Sequence, residues 1–139
     1  MKNTLMIALC GAAILAAGCS TLRKSDSAAL QGTWKGQEMG RPTEGPCWLM
    51  ISGNALEFRG ADTNEWYKGT FTLREDANPR QLVGAVTECP APKYIGKTAY
   101  AIYRIEADTL TLTGNEPGNP EVPSSFDAPG FRKFVLKKP

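Results

Sequence analysis

The chain contains no histidine among its 139 residues. That absence excludes His-based catalytic triads, His-ligated metal sites and the commonest general base near neutral pH. Net charge is equally scarce: 16 Lys and Arg stand against 14 Asp and Glu, a formal charge of +2. The basic residues are scattered, so the clustered surface that phosphate backbones require is missing and no nucleic-acid partner is expected. No C-x-x-C pair occurs, which removes the usual dithiol redox motif, and no S-x-x-K spacing occurs either. The carboxylate pairs Glu75-Asp76 and Glu106 with Asp108 fall in turn segments, where acidic residues serve turn chemistry. Ser124-Ser125 has no base nearby in the sequence. With no nucleophile beside a base, the chain reads as a non-enzyme, with no cofactor and no metal site.

What is present bounds the architecture. The length is that of one domain, and 42% apolar residues suffice for a packed core. Fourteen Gly and ten Pro indicate many turns and argue against a helical bundle.

The only sustained apolar stretch runs from Leu5 to Ala17, behind the basic start Met1-Lys2. As a helix it spans about 20 Å, short of the ~30 Å hydrocarbon core, which fits the apolar region of a secretory signal peptide. The small residues that follow lead straight into a cysteine, Leu15-Ala16-Ala17-Gly18-Cys19. This resembles the bacterial lipoprotein signal, the lipobox, with the departure that its Leu sits one position early and Ala16 takes its place. The resemblance implies removal of residues 1–18 and acylation of Cys19, and several acyl chains make a permanent membrane anchor. The alternative is an ordinary secretory peptide cleaved after Ala17 or Gly18, leaving Cys19 a free thiol. Ser20 rather than Asp after the cysteine implies, by resemblance to sorted lipoproteins of two-membrane cells, the outer membrane facing the periplasm. Residues 19–29, polar and small, read as a lipidated tether, and residues 30–139 as the folded domain.

With Cys10 discarded and Cys19 acylated, Cys47 and Cys89 remain. Two cysteines in an exported chain read as one disulfide. Closing a loop of about 40 residues stabilises a small domain by roughly 4 kcal/mol in the chain-entropy model. The alternative is a pair of buried, unlinked thiols.

From Gln31 onward the apolar period is two. Asp108-Thr-Leu-Thr-Leu-Thr113 places Leu110 and Leu112 on one face and threonines on the other. Ala55–Arg59 turns Leu56 and Phe58 inward, and Trp66–Leu73 groups Tyr67, Gly69, Phe71 and Leu73. Lys97–Ile105 groups Ala99, Ala101, Tyr103 and Ile105, and Arg132–Leu136 groups Arg132, Phe134 and Leu136. Thr33–Met39, Cys47–Ser52 and Leu82–Cys89 complete the set of strands. Short connections rich in Gly, Asn, Asp and Pro make successive strands antiparallel hairpins. Small residues such as Gly69, Gly84, Ala99 and Ala101 on the inner faces let the sheet bend sharply. The pattern predicts an all-β fold, an eight-stranded antiparallel up-and-down barrel, with a β-sandwich as the alternative. The connection from Gly114 to Gly130 holds four prolines and no strand pattern. It reads as an ordered flap across one barrel mouth, packed through Val122 and Phe126.

Leu30-Gln-Gly-Thr-Trp34 resembles the opening of lipocalin-type folds, whose first strand carries a Gly-x-Trp. The resemblance implies that Trp34 plugs one barrel end beneath the guanidinium of Arg132 on the last strand. A closer resemblance covers nearly all of Leu30 to Lys138. The chain is similar to a small lipocalin-like domain family of unknown function abundant in planctomycetes and their relatives. The segments that carry it are Leu30–Trp34, Gly69-Thr-Phe-Thr-Leu73, Gly96-Lys97-Thr98, Ala101-Ile-Tyr-Arg-Ile105 and Asp108-Thr-Leu-Thr-Leu112. The family's proline loop stands here as Pro117-Gly118, Pro123-Ser-Ser-Phe126 and Pro129-Gly130. Val122 departs from the family's usual Arg, and Cys47 and Cys89 look like local additions. The family implies an eight-stranded barrel and brings no activity.

The functional expectation is a membrane-anchored envelope lipoprotein whose barrel binds a small apolar or amphipathic ligand. Tyr67, Phe71, Tyr103, Leu110, Leu112 and Phe134 are its candidate pocket or core residues. The alternative is a protein-interaction module with a filled barrel, such as a periplasmic peptidase inhibitor or an envelope assembly factor, with Trp48 and Trp66 on a contact face. The expected partners are therefore the membrane through Cys19, and either a small apolar ligand or an envelope protein.

Overall fold

The structure is a computed structural model that describes residues 24–41 and 45–139. The signal segment, Cys19 and the beginning of the tether lie outside the described residues. A short helix, α1 (Asp26–Leu30), precedes eight strands: β1 (Gly32–Met39), β2 (Cys47–Ser52), β3 (Ala55–Arg59) and β4 (Trp66–Arg74), then β5 (Gln81–Glu88), β6 (Thr98–Glu106), β7 (Thr109–Gly114) and β8 (Arg132–Lys137). Each strand pairs with the next in the antiparallel sense, and β8 returns to β1, so the sheet closes into an up-and-down barrel. Closure leaves no unpaired edge, which is the physical gain over a sandwich.

The period-two pattern works as expected from pleated geometry. Along β2, Cys47, Leu49 and Ile51 are buried and point inward between half-buried outward neighbours. Cross-strand pairs then stack apolar side chains inside: Leu49 with Phe58, Ile51 with Leu56, Leu110 with Leu136, Leu112 with Phe134. The β4–β5 ladder slips at Lys68/Gly69, where β5 carries one extra residue, Thr87. Its hydroxyl donates to the carbonyl of Lys68 at 3.1 Å, satisfying a group the ladder has lost. Gly69 is required here, because a Cβ would run into the carbonyl oxygen of Ala85 on the neighbouring strand.

The two ends of the barrel differ. At one end α1 acts as a stopper, with Leu30 and Trp34 fully buried beneath it. Residues 25–29, expected as part of the tether, therefore pack as part of the fold. The helix begins at Ser25, whose hydroxyl accepts from the Ala28 N–H at 3.2 Å. Asp26, Arg80 and Tyr103 meet under it: the Tyr103 hydroxyl donates to Asp26 Oδ2 at 2.7 Å and the Arg80 guanidinium at 2.8 Å. Burial alone would raise the Asp26 carboxyl, but these two partners outweigh it and hold it below its ordinary value. The same burial and the adjacent carboxylate push the Tyr103 hydroxyl well above the usual phenol range.

Trp34 does plug this end, but not beneath Arg132. Its indole Nε1 donates to the Leu30 carbonyl at 2.9 Å, and the cation over its ring is Lys138, 4.9 Å from the centroid. Lys138 also donates to the Ala29 carbonyl at 3.0 Å. Trp34 lies near the start of β1, opposite the end of β8, whereas Arg132 opens β8 at the other end of the barrel. Antiparallel pairing of the first and last strands forces that separation.

Cys47 and Cys89 are both buried and are not linked, so the expected disulfide is replaced by its alternative of two packed thiols. Cys47 opens β2 and faces the interior, whereas Cys89 follows β5 and donates through Sγ to the Ala91 carbonyl at 3.0 Å. Burial pushes the Cys47 thiol up to about 11, so it packs as a small hydrophobe.

The proline-rich connection takes a different path from the expected flap. Asn115, Glu116 and Pro117 border the mouth, and the segment then runs down the outer wall of β6 and β7. The Thr113 hydroxyl donates to the Phe126 carbonyl at 3.2 Å, and the Arg104 guanidinium lies 4.6 Å from the Phe126 ring centroid. Ile102 and Thr113 face outward as a cross-strand pair, yet both are almost fully buried. The loop is a strap that gives these two strands a second, outer core.

Candidate functional site

The open end of the barrel contains a cavity of about 160 Å³. It exists because β5 and β6 present small residues inward at Gly84, Ala99 and Ala101. Gly84 shows this most clearly. A Cβ there would meet nothing nearer than 3.9 Å, so its missing side chain is open space rather than a close backbone approach. The rest of the lining supplies bulk from Leu49, Leu56, Phe58, Leu112 and Phe134. Phe58 sits edge-on to Phe134 at 5.1 Å between centroids and tilted toward Tyr67 at 6.4 Å, a connected aromatic side to the cavity.

The candidate residues divide into two groups. Tyr67, Leu112 and Phe134 line the cavity. Phe71, Tyr103 and Leu110 are buried in the packed half toward α1, with Leu136 beside them, and form its core. Leu49, Leu56, Phe58 and Gly84 line the cavity but are not among the candidate pocket residues, because their alternation signals a face and nothing separates pocket from packing.

At the mouth Arg132 is, among the described residues, the one guanidinium that reaches the cavity. Its Nε and one terminal nitrogen bind both oxygens of Glu38, at 2.8 and 3.0 Å, and the other terminal nitrogen binds Glu65. Its planar face lies over Phe134, 5.1 Å from the centroid. Glu38 is inward and nearly inaccessible, with a side chain only 7% exposed. The hydrogen bonds from Arg132 outweigh burial and hold the Glu38 carboxyl below its ordinary value, and they hold Arg132 charged beyond any working pH. Such a fork-on-carboxylate pair is geometrically specific. Above it, burial and then the nearby Glu65 raise the Tyr67 hydroxyl. Tyr67 packs on Tyr94 at 6.0 Å, and Tyr94 donates to Glu116 at 2.6 Å, tying the rim to the strap.

The outer wall carries a second arrangement. Trp48, Arg59 and Trp66 lie side by side in register across β2, β3 and β4, with Lys35 paired to Trp48. Lys35 and Lys68 sit 4.7 and 5.6 Å from the Trp48 and Trp66 ring centroids. Both tryptophans are half-buried.

No family model matches the chain, and comparisons with curated proteins and with solved structures return no similar protein. The site's reading therefore rests on its own geometry.

Proposed function

We propose that this chain is an envelope lipoprotein, anchored by an acylated Cys19, whose non-catalytic barrel binds a small apolar ligand in the mouth cavity. The observation that carries the reading is the cavity itself, an apolar space beside inward Gly84, Ala99 and Ala101 where a filled barrel would carry larger side chains. The lipobox-like Leu15–Cys19 segment and Ser20 support the anchor and the outer-membrane, periplasm-facing address, and the similarity across Leu30–Lys138 supports membership of the small lipocalin-like family. In this reading the tether enters at the stopper end, because α1 is docked there, and the mouth points away from the bilayer.

The test is to isolate the full-length protein from the envelope of a two-membrane bacterium, extract it under denaturing conditions, and analyse it by mass spectrometry. The expected result is an N-terminal peptide beginning at acylated Cys19, and a small molecule recovered in stoichiometric amount. An unmodified Cys19 overturns the anchor, and an empty extract from every preparation overturns the carrier.

The outer ladder of Trp48, Arg59 and Trp66 favours a second reading, a protein-interaction module such as a peptidase inhibitor or an assembly factor. Tryptophan and arginine are the side chains that most often carry binding energy at interfaces. Alanine at both tryptophans then abolishes partner capture in the envelope and leaves the cavity unchanged.

A further inference from the structure

The cavity is narrower in its demands than a general apolar pocket. Resting on the carrier reading above, we infer that it selects an uncharged molecule of about one six-membered ring, and that the Arg132–Glu38–Glu65 cluster excludes carboxylates.

Size sets the first limit. About 160 Å³ is below the range of ordinary ligand pockets, about 300–1,000 Å³, and close to the apolar cavities known to take benzene. The cavity cannot lengthen toward α1, because Phe71, Tyr103, Leu110 and Leu136 close that direction with buried side chains. A long acyl chain can extend only out through the mouth, where its methylenes stay in water.

Charge sets the second limit. A carboxylate entering an apolar space needs a cation to replace its water. Lys68 borders the cavity, but its ammonium is directed to the ring of Trp66. Among the described residues Arg132 is the remaining cation on the lining, and three of its five N–H donors are engaged by Glu38 and Glu65, two carboxylates against one guanidinium. An incoming carboxylate either becomes the third acid around one guanidinium or displaces Glu38 or Glu65 from it, and both routes bring like charges together. A neutral ring meets no such cost, and finds Phe58, Phe134 and Tyr67 on one side and the Gly84 gap on the other.

The experiment uses the full-length chain in lipid nanodiscs with ¹³C-labelled leucine methyls, titrated separately with benzyl alcohol, benzoate and 1-octanol. The expected result is saturable shifts at Leu56 and Leu82 with benzyl alcohol, and binding of benzoate about tenfold weaker or less. Gly84→Val fills the gap and abolishes the benzyl alcohol shifts while the thermal midpoint is kept. If that variant does not fold, Gly84→Ala, whose Cβ has room, weakens them instead. Benzoate binding as tightly as benzyl alcohol overturns the charge limit and makes Arg132 an anion anchor. Octanol binding tighter than benzyl alcohol at the same methyls overturns the size limit. Silence from all three probes overturns the carrier reading itself, an outcome distinct from either of those.

Discussion

The hydroxyl of Tyr103 donates to Asp26 across 2.7 Å, joining the sixth strand to the helix that stops one end of the barrel. Arg80, from the β4–β5 turn, completes the contact on the same carboxylate oxygen. These side chains come from three separate parts of the chain; Tyr103 and Asp26 are buried, and Arg80 reaches them from the partly exposed turn. Removing Asp26 takes the acceptor from both donors and leaves the buried Tyr103 hydroxyl without a partner, which is where hydrogen bonds become expensive to lose.

Tyr103→Phe deletes one donor and leaves Arg80 on Asp26, so the expected loss is about 1 kcal/mol. Asp26→Ala orphans both the Tyr103 hydroxyl and the Arg80 guanidinium, and the expected loss is about 2–4 kcal/mol. Urea unfolding with an unchanged m-value measures both. Equal losses for the two variants would show that Arg80 contributes nothing.

Stability should fall in acid through two sites at opposite ends of the barrel. Asp26 and Glu38 have folded values below their ordinary 3.8 and 4.5. In the window between the folded and ordinary values the unfolded chain binds more protons, so stability rises with pH there. The contribution is complete above about pH 5 and is lost as pH falls through the folded values. Urea midpoints between pH 2.5 and 6.5 should show this slope. Glu38→Gln should lower stability at pH 6.5 and flatten part of the curve, with Asp26→Asn flattening the rest.

Both remaining thiols should be unreactive in the folded protein and free in the unfolded one. With Cys47 pushed up to about 11, only about one thiol in 10³–10⁴ is ionised near neutral pH, and burial shields it further. Alkylation at pH 7.5 without reductant should leave Cys47 and Cys89 intact under native conditions and modify both in denaturant. A denatured protein that resists alkylation until reduced would establish a disulfide instead.

The strap predicts a local effect separate from the cavity. Phe126→Ala removes the ring beneath Arg104 and loosens the segment whose carbonyl accepts from Thr113. Hydrogen exchange should accelerate along the outer face of β6 and β7, at Ile102 and Thr113 above all. Leucine methyl shifts at Leu49 and Leu56, inside the barrel, should stay unchanged.

The strands were legible because a half-buried strand prints its two faces directly into alternate residues. The observed strands begin and end within one residue of those read from the alternation, as with Asp108–Thr113 against β7 at Thr109–Gly114. Inward Gly84 and Ala99 were visible too, but alternation says only which face a residue takes. Whether small inward residues bend a sheet or leave a void depends on what faces them across the barrel. Likewise Gly-x-Trp identified Trp34 as a plug, while its cation is Lys138, six positions beyond Arg132 on a strand that rises by about 3.3 Å per residue.

The sequence by itself determined the period, the strand order and the hairpins, because those are local: each turn and each alternation is specified by adjacent residues. It also determined that the threonines of β7 take the outer face. Tertiary structure alone decided that residues 25–30 stop one end, that Arg132 is consumed by Glu38 and Glu65 at the other, and that the proline-rich connection straps the wall instead of capping the mouth. Closure of the sheet is the physical reason. It brings the first strand against the last, assigns every inward residue a neighbour several strands away, and so turns a set of local alternations into one packed end and one open cavity.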